Sequence, residues 1–460
     1  LNGKNLTDFT QGNILRHLVF FSLPILAGNL LQALYHTVDS FWVGRFLGPE
    51  ALAAVSISFP IVFTLISLII GFTIATTTMV SQYAGAKAIE MVRQVISNSL
   101  LLLLFMGLIT SIIGVLLRVP LLDLIRTPKE VMPLAADYLA VFLSGLTFMF
   151  LFNAVSAILR GLGDAKTPLK LLAYSTILNI ILDPLLIFGF GPIPAMGVTG
   201  AGLATVIAMA FSAVLGLWHL HKLELLAEFN FHSILNPGLT LTTFKIGLPA
   251  GIQHALVSLG FLAITAIVNS FGKVAVAAYG AATRLDGFAF LPAMTISFAV
   301  SAIAGQNLGA GQFQRTREVL KWSCLLSSGV TIVIVALILA FPKMLLSIFT
   351  SDQQVIRAGT QYLYIVAFSY LPFSLMFCIH GLLRGAGDNV PAMLITLISM
   401  WVVRVPLAIF LVKLPALGIT GVWLALLSGP VIGLLLSWAY YLSGRWKEKV
   451  LINRQETAPD

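Results

Sequence analysis

Long apolar runs, each closed by a short polar break, recur along the whole chain. Twelve of them reach or exceed the roughly 20 residues a helix needs to cross the hydrocarbon core of a bilayer. They fall at residues 17–42, 51–79, 95–117, 132–159, 168–190, 197–220, 243–270, 274–303, 320–341, 356–381, 392–413 and 418–442. The breaks are rich in glycine, proline and charge: GRFLGPE, QYAGAKAIE, RTPKE, RGLGDAKTP and GFGPIPAMG in the first half, with counterparts in the second. Segments of about 10 residues with period-two alternation, the mark of a membrane β-barrel, do not occur. The pattern predicts an all-α integral membrane protein with twelve transmembrane helices.

Composition agrees. The 460 residues are 58% hydrophobic and only 10% charged, against about 25% charged in soluble domains. The polar N-terminal stretch LNGKNLTDFTQGN lacks the basic, apolar, small order of a signal peptide, so the first span is expected to stay in the mature protein. The net charge of +9 has no need of a nucleic-acid partner, because its distribution explains it. With the N-terminus inside, seventeen of the 27 Lys and Arg residues fall in inner loops and tails, eight in outer loops, and Arg284 and Arg404 inside spans. That bias puts both termini in the cytoplasm, and the plasma membrane is the expected location.

The chain also repeats itself. VSQYAGAKAIEMVRQV (80–95) parallels AGQNLGAGQFQRTREV (304–319), and LRGLGDAKTP (159–168) parallels LRGAGDNVP (383–391). Pro24 matches Pro249, and GVTG (197–200) matches GITG (418–421), all at an offset of 221 to 225. Each half is therefore expected to carry six helices in the same orientation, giving two pseudo-symmetric six-helix bundles with a ligand site at or near their interface. The expected division is an N-terminal bundle over 1–220, a cytoplasmic linker over 221–242, and a C-terminal bundle over 243–460 that ends in a short basic tail.

The paired RGxGD segments, the paired Q-x-x-G segments, GQNLGAG and the twelve-helix duplication together resemble the MATE (multidrug and toxic compound extrusion) family. The N-terminal half is similar to its DinF-like branch. The resemblance implies a V-shaped pair of bundles and an antiporter that exports amphipathic, mostly cationic drugs or toxins as H+ or Na+ moves inward.

The duplication supplies an internal control: a charge present in only one half is not required by the shared fold. Asp39 aligns with Ala263, Asn179 with Trp401, Asp183 with Val405 and Thr205 with Leu426. Asn179 and Asp183 are four apart on one helix face, extended by Ser175; Gly28, Gln32, Tyr35 and Asp39 form a stripe on the first helix. At 1.5 Å per residue, Asp39, Asp183 and Thr205 all sit roughly 9–12 Å below the outer boundary, where they could converge. The resemblance assigns proton or cation coupling to these positions, and an asparagine of the fourth span, here Asn153, joins them on the same ground. A carboxylate in the bilayer centre costs ~3 kcal/mol on insertion scales. A second acid nearby makes the two titrate as a pair. The same oxygens could coordinate Na+ instead; the DinF-like resemblance favours H+. The alternative for Asp39 is a buried acid that caps a helix or pairs with a base, and for Asp183 one that serves the helix break at Pro184.

Other features carry competing readings. Arg284, Asp286 and Arg404 lie inside second-half spans and could form a satisfied buried cluster or serve substrate or gating. RGLGD and RGAGD are expected as tight inner loops whose Arg and Asp bond to a neighbouring bundle or to lipid phosphate. They are not phosphate cradles, since no Lys-Ser/Thr follows them. Pro24 is either a hinge or a static kink. Asp39, Gln32, Met149, Phe150 and Met294, with Phe148, Phe288 and Phe290, are candidate linings of a drug cavity: an ionised Asp39 could attract a cationic substrate directly, and packing or lipid contact is the alternative for each apolar side chain taken singly. Cys324 and Cys378 read as small buried hydrophobes. No catalytic triad, zinc motif or nucleotide loop appears, so no enzyme activity, cofactor or metal is expected, with H+ (or Na+) the coupling ion; the resemblance implies small amphipathic cations as partners beside the bilayer, and a monomer is expected. A lipid-linked precursor flippase of the same superfamily is the alternative in another class; it would show a long basic groove and additional helices.

Overall fold

The computed structural model describes residues 6–192, 194–226 and 236–452. Helices dominate, and among the described residues eleven are long and apolar enough to cross a membrane, or twelve when one bent pair counts as a single span. The first half holds α1 (Ile14–Phe46), α2 (Pro49–Gly85), α3 (Ile89–Leu124), α4 (Met132–Ser144), α5 (Leu146–Gly161), α6 (Lys166–Phe188) and α7 (Val198–Lys222). The second holds α8 (Pro237–Asn269), α9 (Lys273–Gly309), α10 (Phe313–Ala340), the short α11 (Pro342–Ser347), α12 (Gln353–Ala386), α13 (Asn389–Thr396), α14 (Val405–Val412) and α15 (Ile419–Ser443). Between α13 and α14 the backbone of Leu397–Arg404 is π-helical, which leaves Trp401 Nε1 donating to the carbonyl of Leu256 at 3.1 Å.

The predicted spans all appear, most of them running a few residues beyond the predicted ends, and two differences have a visible cause. The fourth, expected as one helix over 132–159, breaks at Gly145, where α4 and α5 meet at 45°. A Cβ there would sit 2.2 Å from Val206 Cγ2, so only glycine lets α7 pack this closely. The seventh span begins at Pro237 rather than near residue 243. Asn236 Oδ1 accepts from the backbone N–H groups of Gly238 (2.9 Å) and Leu239 (3.3 Å), an N-cap followed by proline at the first helical position. Most of the rest of the expected linker, residues 227–235, lies outside the described residues.

The chain divides into two compact units. One comprises Leu23–Leu248 with the N-terminal stretch that ends at Asp8; the other comprises Phe9–Ser22 and the chain from Pro249 onward. The change of unit falls beside the paired prolines, Pro24 in α1 and Pro249 in α8. In the first unit, Thr240 Oγ1 at the start of α8 donates to Asn98 Oδ1 (3.0 Å), and Phe72 and Phe244 meet edge to face at 5.1 Å. In the second, GQNLGAG explains itself structurally. The Phe9 N–H donates to Gln306 Oε1 at 2.9 Å, Asn307 Nδ2 donates to the Phe9 carbonyl at 3.2 Å, and Arg315 Nη2 donates to the carbonyls of Gln11 and Gly12 at 2.8 Å each.

The RGxGD motifs are helix-to-helix corners. Gly163 and Gly387 have φ of 84° and 82°. Asp164 Oδ1 accepts from the N–H groups of Lys166 and Thr167 at 2.9 Å each, satisfying donors that the start of α6 leaves open. The expected reach of the arginines to another bundle or to lipid is corrected at Arg384: it is buried inside its own unit, donates to Ser297 Oγ at 2.8 Å and lies over the Phe298 and Phe377 rings. A Cβ at Gly163 would lie 2.3 Å from the Thr7 carbonyl oxygen. Gly163→Ala is therefore expected to cost at least ~1–2 kcal/mol, the penalty of a left-handed non-glycine residue alone. A lower thermal midpoint in detergent is the readout, and Gly329→Ala, where nothing lies within 4 Å, should show no loss.

Candidate functional site: a buried acid pair in the first unit

Polar side chains from α1, α6 and α7 meet near one end of the first unit. Asp39 lies seven residues before the end of α1, Asp183 five before the end of α6, and Thr205 seven after the start of α7. These offsets place all three roughly 7–11 Å from the helix ends. Asp183, Asn179 and Ser175 are wholly buried and Tyr35 nearly so, whereas Asp39 is half-buried.

The hydrogen bonds link the elements. Thr205 Oγ1 donates to Asp39 Oδ2 at 3.3 Å, and Asn179 Nδ2 donates to Asp183 Oδ1 at 3.1 Å. The Asp39 and Asp183 carboxyls interact electrostatically with each other and with Tyr35. Three acceptor atoms remain buried without a donor: Asp39 Oδ1, Asp183 Oδ2 and Asn179 Oδ1. Two carboxyls that face each other in a low-dielectric site cannot both ionise at tolerable cost, and one proton between them removes the conflict. No basic side chain offsets the pair, since the one ion pair among the described residues is Glu90–Arg93 at 2.9 Å. The site is thus rich in acceptors and short of positive charge.

Five sequence candidates come together here: Tyr35, Asp39, Asn179, Asp183 and Thr205. Gln32 is half-buried one turn from Tyr35 on the same helix. Asn153 does not join. Its Nδ2 donates to the Met149 carbonyl of its own helix at 2.8 Å, and that bond is its partner among the described residues. Met149 is half-buried on α5, and Met294 is half-buried in the other unit. Phe150 is a core residue, wholly buried against Gly107 of α3, which removes it from the cavity lining. Pro24 sits in α1, whose helix runs through it uninterrupted.

Tyr138 was missed. This buried tyrosine of α4 lies within the electrostatic reach of both Asp39 and Asp183, stacks on Phe142 at 5.9 Å, and faces Gly202, whose Cβ position would be 3.5 Å from the ring. Its match in the other half, Tyr362, is also a tyrosine, so a search for differences between halves passes over it.

The second-half charge cluster is corrected too. Asp286 is not clamped by guanidinium groups. The hydroxyls of Tyr362 and Tyr370 donate to its two oxygens, the latter at 2.5 Å. Arg284 is exposed and lies over the Phe349 ring at 5.5 Å. Residues two apart on a helix do not share a face, which separates Arg284 from Asp286. Arg404 remains within electrostatic reach of Asp286 without a direct ion pair, and donates from Nη2 to the Leu426 carbonyl at 3.3 Å.

Comparison with known proteins follows the same outline. The MatE family model matches residues 24–185 and 249–410, once in each half. The chain is 36% identical over 450 residues to the probable multidrug resistance protein YpnP of Bacillus subtilis, covering 97% of this chain and 99% of that one. It is 29% identical to the probable multidrug resistance protein NorM of Thermotoga maritima, covering 96% and 95%, and 30% identical to an FAD transporter of Shewanella oneidensis, covering 96% and 97%. Among solved structures, MATE in the bent conformation superposes with a TM-score of 0.88 at 23% identity, covering 96% of this chain and 98% of that one. A MOP superfamily transporter from Pyrococcus furiosus gives the same TM-score and identity, covering 98% and 99%. The duplicated fold, the matched halves and these full-length relatives together show that the chain belongs to the MATE family of multidrug-efflux transporters, multi-span membrane proteins that are not enzymes.

Proposed function

We propose that the protein exports amphipathic, mostly cationic compounds in exchange for H+, with the Asp39–Asp183 pair as the proton carrier. The carrying observation is the set of three donor-less acceptors in a site with no basic counter-charge. Such a site attracts a cation, and a proton is the cation that two facing carboxyls share most directly. In the outward-open state the pair takes up a proton, the first helix rearranges and drug affinity falls. The drug leaves, the protein reopens inward, and the proton is lost to the cytoplasm as new drug binds. Coupling follows from the drug's unequal affinity for the two protonation states. Both termini lie in the cytoplasm on the positive-inside distribution.

A second reading, Na+ coupling, is favoured by one atom. A proton satisfies the carboxyls but not Asn179 Oδ1, whereas Na+ could take all three oxygens. Proteoliposomes separate the two: with ethidium as the probe, an imposed pH gradient is expected to drive efflux with no Na+ present. Efflux that follows a Na+ gradient and ignores pH would transfer the role to Na+. An FAD-loaded arm addresses cargo, because one relative is an FAD transporter; transport of FAD in place of ethidium would overturn the cationic-substrate reading.

A further inference from the structure

The second unit carries an open groove of about 520 Å³ between α10, α12 and α15, at the end that bears the C-terminus. Its floor and walls are apolar, with Leu325, Leu375 and Leu435 among them, and Trp438 stands at its side. Its mouth is cationic. Arg317 and Lys321, one turn apart on the same face of α10, both line it and both are exposed. Among the described residues no acidic side chain lines the groove; Glu318, adjacent to Arg317 in sequence, is absent from its wall. Neither cation has an ion-pair partner, since the one such pair among the described residues joins Glu90 and Arg93.

From Arg317 to Leu325 the groove descends roughly 12 Å along α10. It therefore passes from headgroup depth into the hydrocarbon. Leu325, Leu435 and Trp438 are 54%, 63% and 47% exposed, large apolar surfaces at a depth where the surrounding medium is hydrocarbon. Two unpaired cations at the polar boundary, an apolar trough below them and an indole at the rim match the two ends of one molecule. Basic pockets between membrane helices bind anionic headgroups, and aromatic side chains settle at the interface.

We infer that this groove is a binding site for an anionic phospholipid, its phosphate held by Arg317 and Lys321 and an acyl chain lying along Leu325, Leu375 and Leu435. With the C-terminus in the cytoplasm, the lipid comes from the inner leaflet. The site lies wholly within the second unit, so it stands independently of the acid pair. A cationic drug is excluded from the mouth by charge, and a free phosphate lacks the part that the apolar trough binds.

Native mass spectrometry of the purified full-length protein, titrated separately with phosphatidylglycerol and phosphatidylcholine, tests this. The wild type should retain phosphatidylglycerol roughly tenfold more strongly than phosphatidylcholine, given the strength of basic residues near anionic surfaces. Arg317→Gln with Lys321→Gln should abolish that preference, and Lys222→Gln in the first unit should preserve it. Leu375→Trp, which fills the trough and keeps both cations, should weaken both lipids alike, and glycerol phosphate should not displace the lipid. A preference that survives the double substitution, its absence from the wild type, or displacement by glycerol phosphate or ethidium would overturn the assignment. Equal thermal midpoints for the variants exclude misfolding as the cause of a loss.

Discussion

Proteoliposomes carrying Asp39→Asn are expected to lose pH-driven efflux by roughly one to two orders of magnitude, the usual size of a coupling between two sites. The amide keeps the shape of the side chain, and Thr205 Oγ1 can still donate to its oxygen as it does to Asp39 Oδ2 at 3.3 Å. What disappears is the acid. With no proton to gain or lose at this position, the drug meets the same site on both faces of the membrane, and a gradient has no population to shift. Drug binding should persist, so the loss belongs to coupling, not to folding. The measurement is ethidium efflux under an imposed pH step, with binding by fluorescence polarisation in parallel. Wild-type efflux in the variant would rule out Asp39 as the carrier.

Asp183→Asn should reduce coupled efflux about as severely, and the double variant Asp39→Asn/Asp183→Asn should be no worse than either single one. Residues that act as a unit lose their function once, not twice. The carboxyls interact electrostatically with each other, and Asn179 ties Asp183 at 3.1 Å. If the two acids worked separately, the losses would multiply, as they do for distant, independent sites. The same efflux assay reads the result. A double variant as slow as the product of the two single losses would divide the pair into two carriers.

Much of this arrangement was legible in the chain. The twelve spans follow from run length alone, because the backbone must satisfy its own hydrogen bonds in lipid and does so as helix. Asp39 and Thr205 are 166 residues apart, yet the comparison of halves selected both: each is polar where its counterpart is apolar. The same test was blind to Tyr138, which sits near both acids and has Tyr362 as its counterpart. It also could not say what Asp286 meets. That answer depended on Tyr362 and Tyr370, eight residues apart and hence two turns along one face of α12, a spacing the chain displayed without naming a partner. Helix ends were the weaker part. Apolar runs marked where lipid begins, but α8 continues outward to an Asn-Pro cap that hydrophobicity does not register. The break at Gly145 was hidden for a different reason: the side chain that demands glycine there is Val206, in a helix far along the chain.

The π-helical stretch Leu397–Arg404 bears on whether the two halves are interchangeable. In α6, Asn179 and Asp183 share a face because the backbone repeats every 3.6 residues. Their counterparts, Trp401 and Val405, lie within and just beyond a stretch closed by wider i to i+5 bonds. Importing asparagine and aspartate there would set them on a backbone wound more loosely than α6, at the point where Trp401 Nε1 already donates to the Leu256 carbonyl at 3.1 Å. The duplicated copies therefore differ in main-chain winding as well as in side-chain identity, and point replacement restores only the second.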